Sequence, residues 1–152
     1  MFDPQKYFES STEEPMETTL SPIPVGEYTA VVRSVKIFPI KDKQTGMERT
    51  NTIRTTITWD IDDKPLEQQL GRTNLTVQQT VFIDFDDNGS FATGRDKNVQ
   101  LGRLREALNL NSGRFTLQML EGAGPARIAV HHEPDSRDDS LIYAKVKNVT
   151  RI

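Results

Sequence analysis

The sequence predicts a mostly β protein, in which a five-stranded barrel carries one helix between its third and fourth strands and a flexible arm at its N-terminus. Three observations predict this architecture. Apolar and polar residues alternate in five segments, most clearly from Ile53 to Ile61. The period changes to three and four residues once, where Leu101, Leu104 and Leu108 recur. The first 22 residues show neither period.

The first predicted strand contains an irregularity that favours a barrel. Tyr28, Ala30 and Val32 share one parity, whereas Val35 and Ile37 have the opposite parity. Side chains alternate strictly along a strand, so a change of parity within one strand indicates a bulge or a strong bend. Because a small barrel closes only when its strands are strongly coiled, the change of parity supports a closed sheet.

The second and third predicted strands run over 53–61 and 77–85, and the acidic stretch 86–90 has the composition of a turn. The helix follows, with Asn98 as its expected N-terminal cap and a stop at 111–113.

Two strands, over 126–132 and 141–149, close the chain. The predicted order is three strands, one helix and two strands, and the first strand is bent. This is the order of elements in the OB-fold, a partly open five-stranded barrel. We therefore divide the chain into an acidic N-terminal arm, residues 1–22, and an OB-fold domain, residues 23–152.

Length and composition exclude several classes of protein. The chain of 152 residues fits one domain, and its apolar share of 35% predicts a lean core. It has no cysteine, which excludes disulfides, thiolate metal sites and cysteine nucleophiles. No apolar run approaches the roughly 20 residues that span a membrane, and the acidic N-terminus does not have the pattern of a signal peptide. We expect a soluble, cytoplasmic protein that does not bind membranes.

The net charge of −3 is distributed unevenly along the chain. Residues 1–20 contain five carboxylates and one lysine and so carry −4, which leaves +1 for the other 132 residues. The arm also contains three aromatic residues, Phe2, Tyr7 and Phe8. Two interpretations remain open: these rings pack back on the domain, or the arm docks on a neighbouring subunit of a homo-oligomer or covers a basic groove.

The sequence contains no pattern typical of an enzyme, and we predict no catalytic residue, metal or cofactor. His131 and His132 are adjacent, so a strand would point them to opposite faces. The stretch from Asp84 to Gly89 resembles the start of a calcium-binding EF-hand loop, but the twelfth position is Arg95 instead of a glutamate. A hairpin turn is the better interpretation of that stretch.

Strand parity predicts a surface suited to single-stranded nucleic acid. The second and third strands of an OB-fold form its ligand face, and single strands bind where cations follow the backbone and flat rings stack on the bases. Arg54 and Phe82 supply such a cation and ring on adjacent strands. The full set of predicted nucleic-acid-binding residues is Lys41, Lys43, Arg49, Arg54, Phe82, Tyr143, Lys145 and Lys147. The alternative for Phe82 is that the arm or another subunit covers it.

Four stretches resemble small phage-encoded single-stranded-DNA-binding proteins of the OB-fold type, which serve replication and recombination. They are Ile23–Val32, Thr58–Asp62, Leu101–Leu110 and Tyr143–Val149. The resemblance implies a barrel that coats single-stranded DNA cooperatively and recruits replication or recombination enzymes in the cytoplasm of an infected bacterium. Family members often end in an acidic tail, whereas this chain carries its acidic segment in the N-terminal arm. The alternative is a phage virion or assembly adaptor whose arm contacts neighbouring subunits.

Overall fold

The computed structural model describes all 152 residues and confirms a mostly β protein with a helix between the third and fourth strands. The strands are β1 (Gly26–Lys41), β2 (Glu48–Ile61), β3 (Thr76–Asp84), β4 (Ala126–Pro134) and β5 (Ile142–Thr150). The helices are α1 (Pro4–Phe8), α2 (Lys64–Leu70) and α3 (Val99–Ala107), and a 3₁₀ turn spans Leu117–Leu120. None of the helices combines the length and apolar character that crossing a bilayer requires.

The five strands form one sheet that closes into a ring, in the order β1-β2-β3-β5-β4, with β4 paired back to β1. Neighbouring strands are antiparallel except β3 and β5, which run parallel. These two strands meet at a single pair, Gln78 with Lys145. Because this junction is so short, β3 and β5 separate on both sides of it, and each opening leaves room for a surface cavity.

The predicted change of parity in the first strand is confirmed as a β-bulge at Arg33. Val32 pairs with Trp59 but Ser34 pairs with Thr58, so Arg33 is the extra residue on β1. A bulge of this kind bends the strand and increases its twist. As a result the side chains before Arg33 that face the core have even numbers, and after it Val35, with an odd number, packs against the core.

The core lies inside the ring and is centred on Trp59, which is fully buried. Its indole Nε1 donates a hydrogen bond of 3.0 Å to Oε1 of Gln79, the larger of two buried polar side chains. Leu101 and Leu104 of α3 complete the core at the side where β3 and β5 separate. The bond satisfies an indole N–H that would otherwise be buried without a partner, a situation that is costly in a protein interior.

Asn98 precedes α3 as predicted, but its side chain does not cap the helix. It faces the loop instead, where Oδ1 accepts from the N–H of Asp84 (2.8 Å) and Nδ2 donates to the carbonyls of Asp84 and Ala92 (both 2.9 Å). The backbone of Asn98 is left-handed, with φ of 50°. The side chain therefore ties the start of α3 to the end of β3.

The expected turn at 86–90 is present. The N–H of Asp86 donates to the carbonyl of Ser90 (2.8 Å), and Phe85 pairs with Phe91 across the turn. The carboxylate of Asp86 accepts from the N–H groups of Asn88 and Ser90, at 2.9 and 3.0 Å. These bonds are those of a hairpin turn, in agreement with the prediction of a turn at this stretch.

The arm does not pack its aromatic side chains against the barrel. Phe2, Tyr7 and Phe8 are all exposed, and Phe2 stacks on Tyr7 with 5.4 Å between ring centroids. The interpretation that these rings fold back on the domain is therefore wrong. The chain joins the barrel at the end of the arm, where the carbonyl of Ser21 accepts from Arg72 and that of Ile23 from His132.

We predict that Asn98→Ala lowers the free energy of unfolding by about 1.5–4.5 kcal/mol, because it removes three hydrogen bonds of about 0.5–1.5 kcal/mol each. Urea unfolding measures the change. Asn109→Ala is the matched control, since Asn109 also has positive φ (59°) but its side chain makes only a 3.4 Å contact to Arg151. An equal loss in both variants would show that backbone strain, and not the hydrogen bonds, is responsible.

Candidate nucleic-acid interface

The outer face of the sheet carries a row of three side chains across three strands. Phe38 on β1 pairs with Arg54 on β2, and Arg54 pairs with Phe82 on β3. Directly paired residues project from the same face of a sheet and lie about 4.5–5.5 Å apart at Cβ. The structure therefore places a cation between two aromatic rings, and we call Phe38, Arg54 and Phe82 the aromatic row.

The members of the aromatic row differ in exposure. The guanidinium carbon of Arg54 lies 4.8 Å from the ring centroid of the half-buried Phe38, within the range of a cation–π contact. Phe82 is 54% exposed. Arg54 takes part in none of the protein's salt bridges. The row thus presents an open ring and a positioned, unneutralised cation.

Two polar rows continue this face beside the aromatic row. Lys36, Thr56 and Thr80 form the first, and Ser34, Thr58 and Gln78 form the second. Successive rows are two residues apart along each strand, which is about 7 Å. The outer face therefore offers a ring, cations and hydroxyl groups in sequence along one direction.

Phe38 and Lys36 were not among the residues predicted from the sequence. The signal was present, because the change of parity at the bulge assigns even-numbered residues after Arg33 to the outer face. Applying that parity to residues 34–38 would have assigned both side chains to the outer face, whereas their positions relative to Arg54 depend on the strand register.

Lys41, Lys43 and Arg49 lie at the tip of the β1–β2 hairpin, beyond the aromatic row. These three basic side chains form no salt bridge, but the carboxylate of Asp42 lies in the same hairpin tip. Hydrogen bonds from the backbone N–H groups of Gln44 and Thr45 lower the pKa of Asp42, with a smaller contribution from Arg49. The carboxylate is therefore ionised at neutral pH and offsets part of the positive charge of the tip.

The three predicted residues of β5 do not act as one surface. Lys145 lies beside Gln78 at the junction of β3 and β5, and with Tyr143 it lines a groove of about 590 Å³. Lys147 is the extra residue of a second bulge, since Val146 pairs with Val130 and Asn148 with Ala129. It lines a separate cleft beside α3. The sequence placed Tyr143, Lys145 and Lys147 on one face, and the bulge divides them.

Tyr143 is held by the acidic loop between β4 and β5. Its hydroxyl donates a hydrogen bond of 2.9 Å to Oδ2 of Asp135, and this bond raises the pKa of Tyr143. The pKa of Asp135 is lowered, first by the N–H of Arg137 and then by the Tyr143 hydroxyl. Tyr143 therefore lies next to an ionised carboxylate, which is an unfavourable position for contact with a phosphate.

The two histidines are separate, as alternation along the strand predicts. Nε2 of His131 lies 2.8 Å from Oε1 of Glu133, and Nε2 of His132 lies 2.7 Å from the carbonyl of Ile23. No group of three or more histidine or carboxylate side chains is placed to hold a metal ion.

The chain matches no protein-family model and no curated protein. The interpretation of this face therefore depends on its own geometry, which is that of an open ring beside an unpaired cation on the outside of a ring-shaped sheet.

We predict that Tyr143→Phe raises the pKa of Asp135 toward its ordinary value while leaving it lowered, because the N–H of Arg137 still donates to the carboxylate. A carboxyl ¹³C NMR titration measures this pKa.

The ionised carboxylate of Asp135 stabilises the folded state at pH values above its pKa in the unfolded chain. This stabilisation disappears as the pH falls through the pKa of Asp135 in the folded protein. In Tyr143→Phe the contribution should disappear at higher pH. Tyr7→Phe in the arm is the control, and an unchanged Asp135 pKa in Tyr143→Phe would contradict the assigned cause.

Proposed function

We propose that this protein is an OB-fold protein that binds single-stranded DNA along the outer face of β1, β2 and β3. The OB-fold assignment is supported by the strand order, by the parallel contact of β3 with β5, by the position of α3 between β3 and β4, and by the bulged first strand. In that fold the face of strands 2 and 3, flanked by the loops from strand 1 to 2 and from strand 4 to 5, is the ligand face.

The aromatic row is the observation that carries the proposal. A single strand presents unpaired bases with exposed π faces and a backbone with one negative charge per nucleotide, and protein surfaces that bind it combine stacking rings with cations. Phe82 offers the ring, and Arg54 offers the cation on the directly paired residue. A duplex hides its base faces inside the stack, so the same surface gains nothing from Phe82 when it meets double-stranded DNA.

The charge distribution is compatible with modest, salt-sensitive binding. The arm carries −4 and the rest of the chain +1, so attraction must come from local cations and not from the net charge. Lys36 and Arg54 lie on the face itself, and the hairpin tip adds Lys41, Lys43 and Arg49. By the resemblance described above, the proposed setting is phage replication or recombination in an infected bacterium, with the enzymes of those processes as partners.

We predict that Phe82→Ala weakens binding to oligo-dT by about 1–3 kcal/mol, the usual contribution of one stacked base. Fluorescence anisotropy at several salt concentrations measures it. With about four phosphate contacts, the slope of log affinity against log salt for the unsubstituted protein should be near −3. The slope should be unchanged in Phe82→Ala, because the substitution removes a ring and no charge.

Phe8→Ala is the matched control for Phe82→Ala, since Phe8 is an exposed ring in the arm, away from the barrel face. Full affinity in Phe82→Ala would contradict the stacking role, and a slope near zero would contradict the electrostatic part. Equal affinity for single- and double-stranded oligonucleotides would contradict the proposed preference for single strands.

The exposed aromatic side chains of the arm favour a second candidate, a virion or assembly adaptor. Exposed apolar groups that do not pack on their own domain are typical of contacts with other molecules. We predict for this case that purified phage particles contain the protein, that removal of residues 1–20 prevents its incorporation, and that single-stranded DNA gives no gel shift. Absence from purified particles would exclude the adaptor.

A further inference from the structure

A second cleft lies on the other side of the junction between β3 and β5, where α3 fills the space between the two strands. It has a volume of about 250 Å³. The residues that line it are Gln79 on β3, Gln100, Arg103 and Leu104 on α3, and Lys147, Asn148 and Val149 on β5. The side chains that offer polar groups are two cations and three amides, and no carboxylate lines the cleft.

Gln79 contributes a buried hydrogen-bond donor at the base of this cleft. The residue is only 5% exposed. Its Oε1 must face Trp59, because an indole N–H can only donate, and this fixes the orientation of the amide. Nε2 then points away from Trp59, has no hydrogen-bond partner in the protein and is not fully enclosed, so it reaches the cleft. This amide N–H group is thus free to donate to an acceptor that enters the cleft from solvent.

The two cations of the cleft are not neutralised. Neither Arg103 nor Lys147 belongs to an ion pair. The nearby carboxylate of Glu106 is engaged elsewhere, 3.7 Å from Arg151 and 3.0 Å from the side-chain nitrogen of Asn111. The bulge at Lys147 and the position of α3 thus bring two positive charges to one small cleft.

We propose that this cleft binds a phosphate-type oxyanion, which accepts from Nε2 of Gln79 and is held by Arg103 and Lys147. Two cations and an amide donor suit an acceptor with several oxygens and negative charge, and the two positive charges disfavour a metal cation. The oxyanion is either a free phosphate or a phosphate of a DNA backbone.

The DNA source depends on the proposed function and is supported by the position of α3. Nε2 of Gln100, on the rim of the cleft, donates a hydrogen bond of 3.1 Å to the carbonyl of Thr80. Thr80 belongs to the polar row with Lys36 and Thr56. A strand that crosses the outer face of β3 would therefore pass directly to the rim of this cleft.

The first test uses inorganic phosphate and the intact chain. We expect phosphate, added at constant ionic strength, to shift the side-chain amide signals of Gln79 in a ¹⁵N–¹H NMR spectrum in a saturable manner, and chloride to leave them unshifted. The double variant Arg103→Gln/Lys147→Gln should lose the shift while keeping a dispersed spectrum. Arg95→Gln/Lys97→Gln, which removes two exposed cations from the loop before α3, is the matched control and should keep it. No shift in the unsubstituted protein, or a shift that persists in Arg103→Gln/Lys147→Gln, would overturn the proposal.

The second test distinguishes the two sources of phosphate. If a DNA backbone occupies the cleft, Arg103→Gln/Lys147→Gln should reduce the salt slope of oligo-dT binding by about 0.7, the contribution of the one phosphate that the two cations hold together. An unchanged slope together with a phosphate-dependent shift of Gln79 would support free phosphate as the ligand. The two proposals can fail independently of each other. A protein that does not bind oligo-dT would still show the phosphate-dependent shift of Gln79 if phosphate binds in the cleft.

Discussion

The bulge at Arg33 is the constraint on which the outer face depends. The first strand must pair with β4 through Gly26–Ala30 and with β2 along most of its length, so it has to bend sharply where the ring closes. The extra residue allows that bend, and Arg33 is held there by Asp60, whose carboxylate lies 3.0 Å from its Nε. Without the extra residue the side chains from Ser34 to Pro39 would exchange faces, and Phe38 would project from the face opposite Arg54.

The polar interior connects the core to the cleft beside α3 in a similar way. Gln79 occupies a core position, where it satisfies the indole of Trp59, and the geometry of that one bond leaves its other group directed toward α3. Asn98 secures the same helix from its other end by bonding to the last residue of β3. The position of Arg103 relative to Gln79 is thus determined by hydrogen bonds that also stabilise the fold.

An ionised carboxylate lies at each end of the outer face. The tip of the β1–β2 hairpin contains Asp42, and the loop between β4 and β5 contains Asp135. Backbone N–H groups lower the pKa of each carboxyl group, so both stay ionised at neutral pH. At the hairpin tip a polyanion on this face would meet Asp42 among three cations, whereas in the loop between β4 and β5 it would meet Asp135 beside Tyr143, so the second end is the less favourable one.

Local periodicity in the sequence was enough to predict the five strands, the helix after the third strand, the bulge, and the neighbouring positions of Arg54 and Phe82. Each of these follows from alternation within one segment or from the pairing of two consecutive strands. Only the tertiary structure determined the remaining contacts: Phe38 beside Arg54, the side chain of Asn98 on β3, the separation of Lys145 from Lys147, and the free amide of Gln79. These depend on strand register, on a second bulge and on partners distant in the chain, and periodicity within one segment contains no information about which distant residue a side chain will meet.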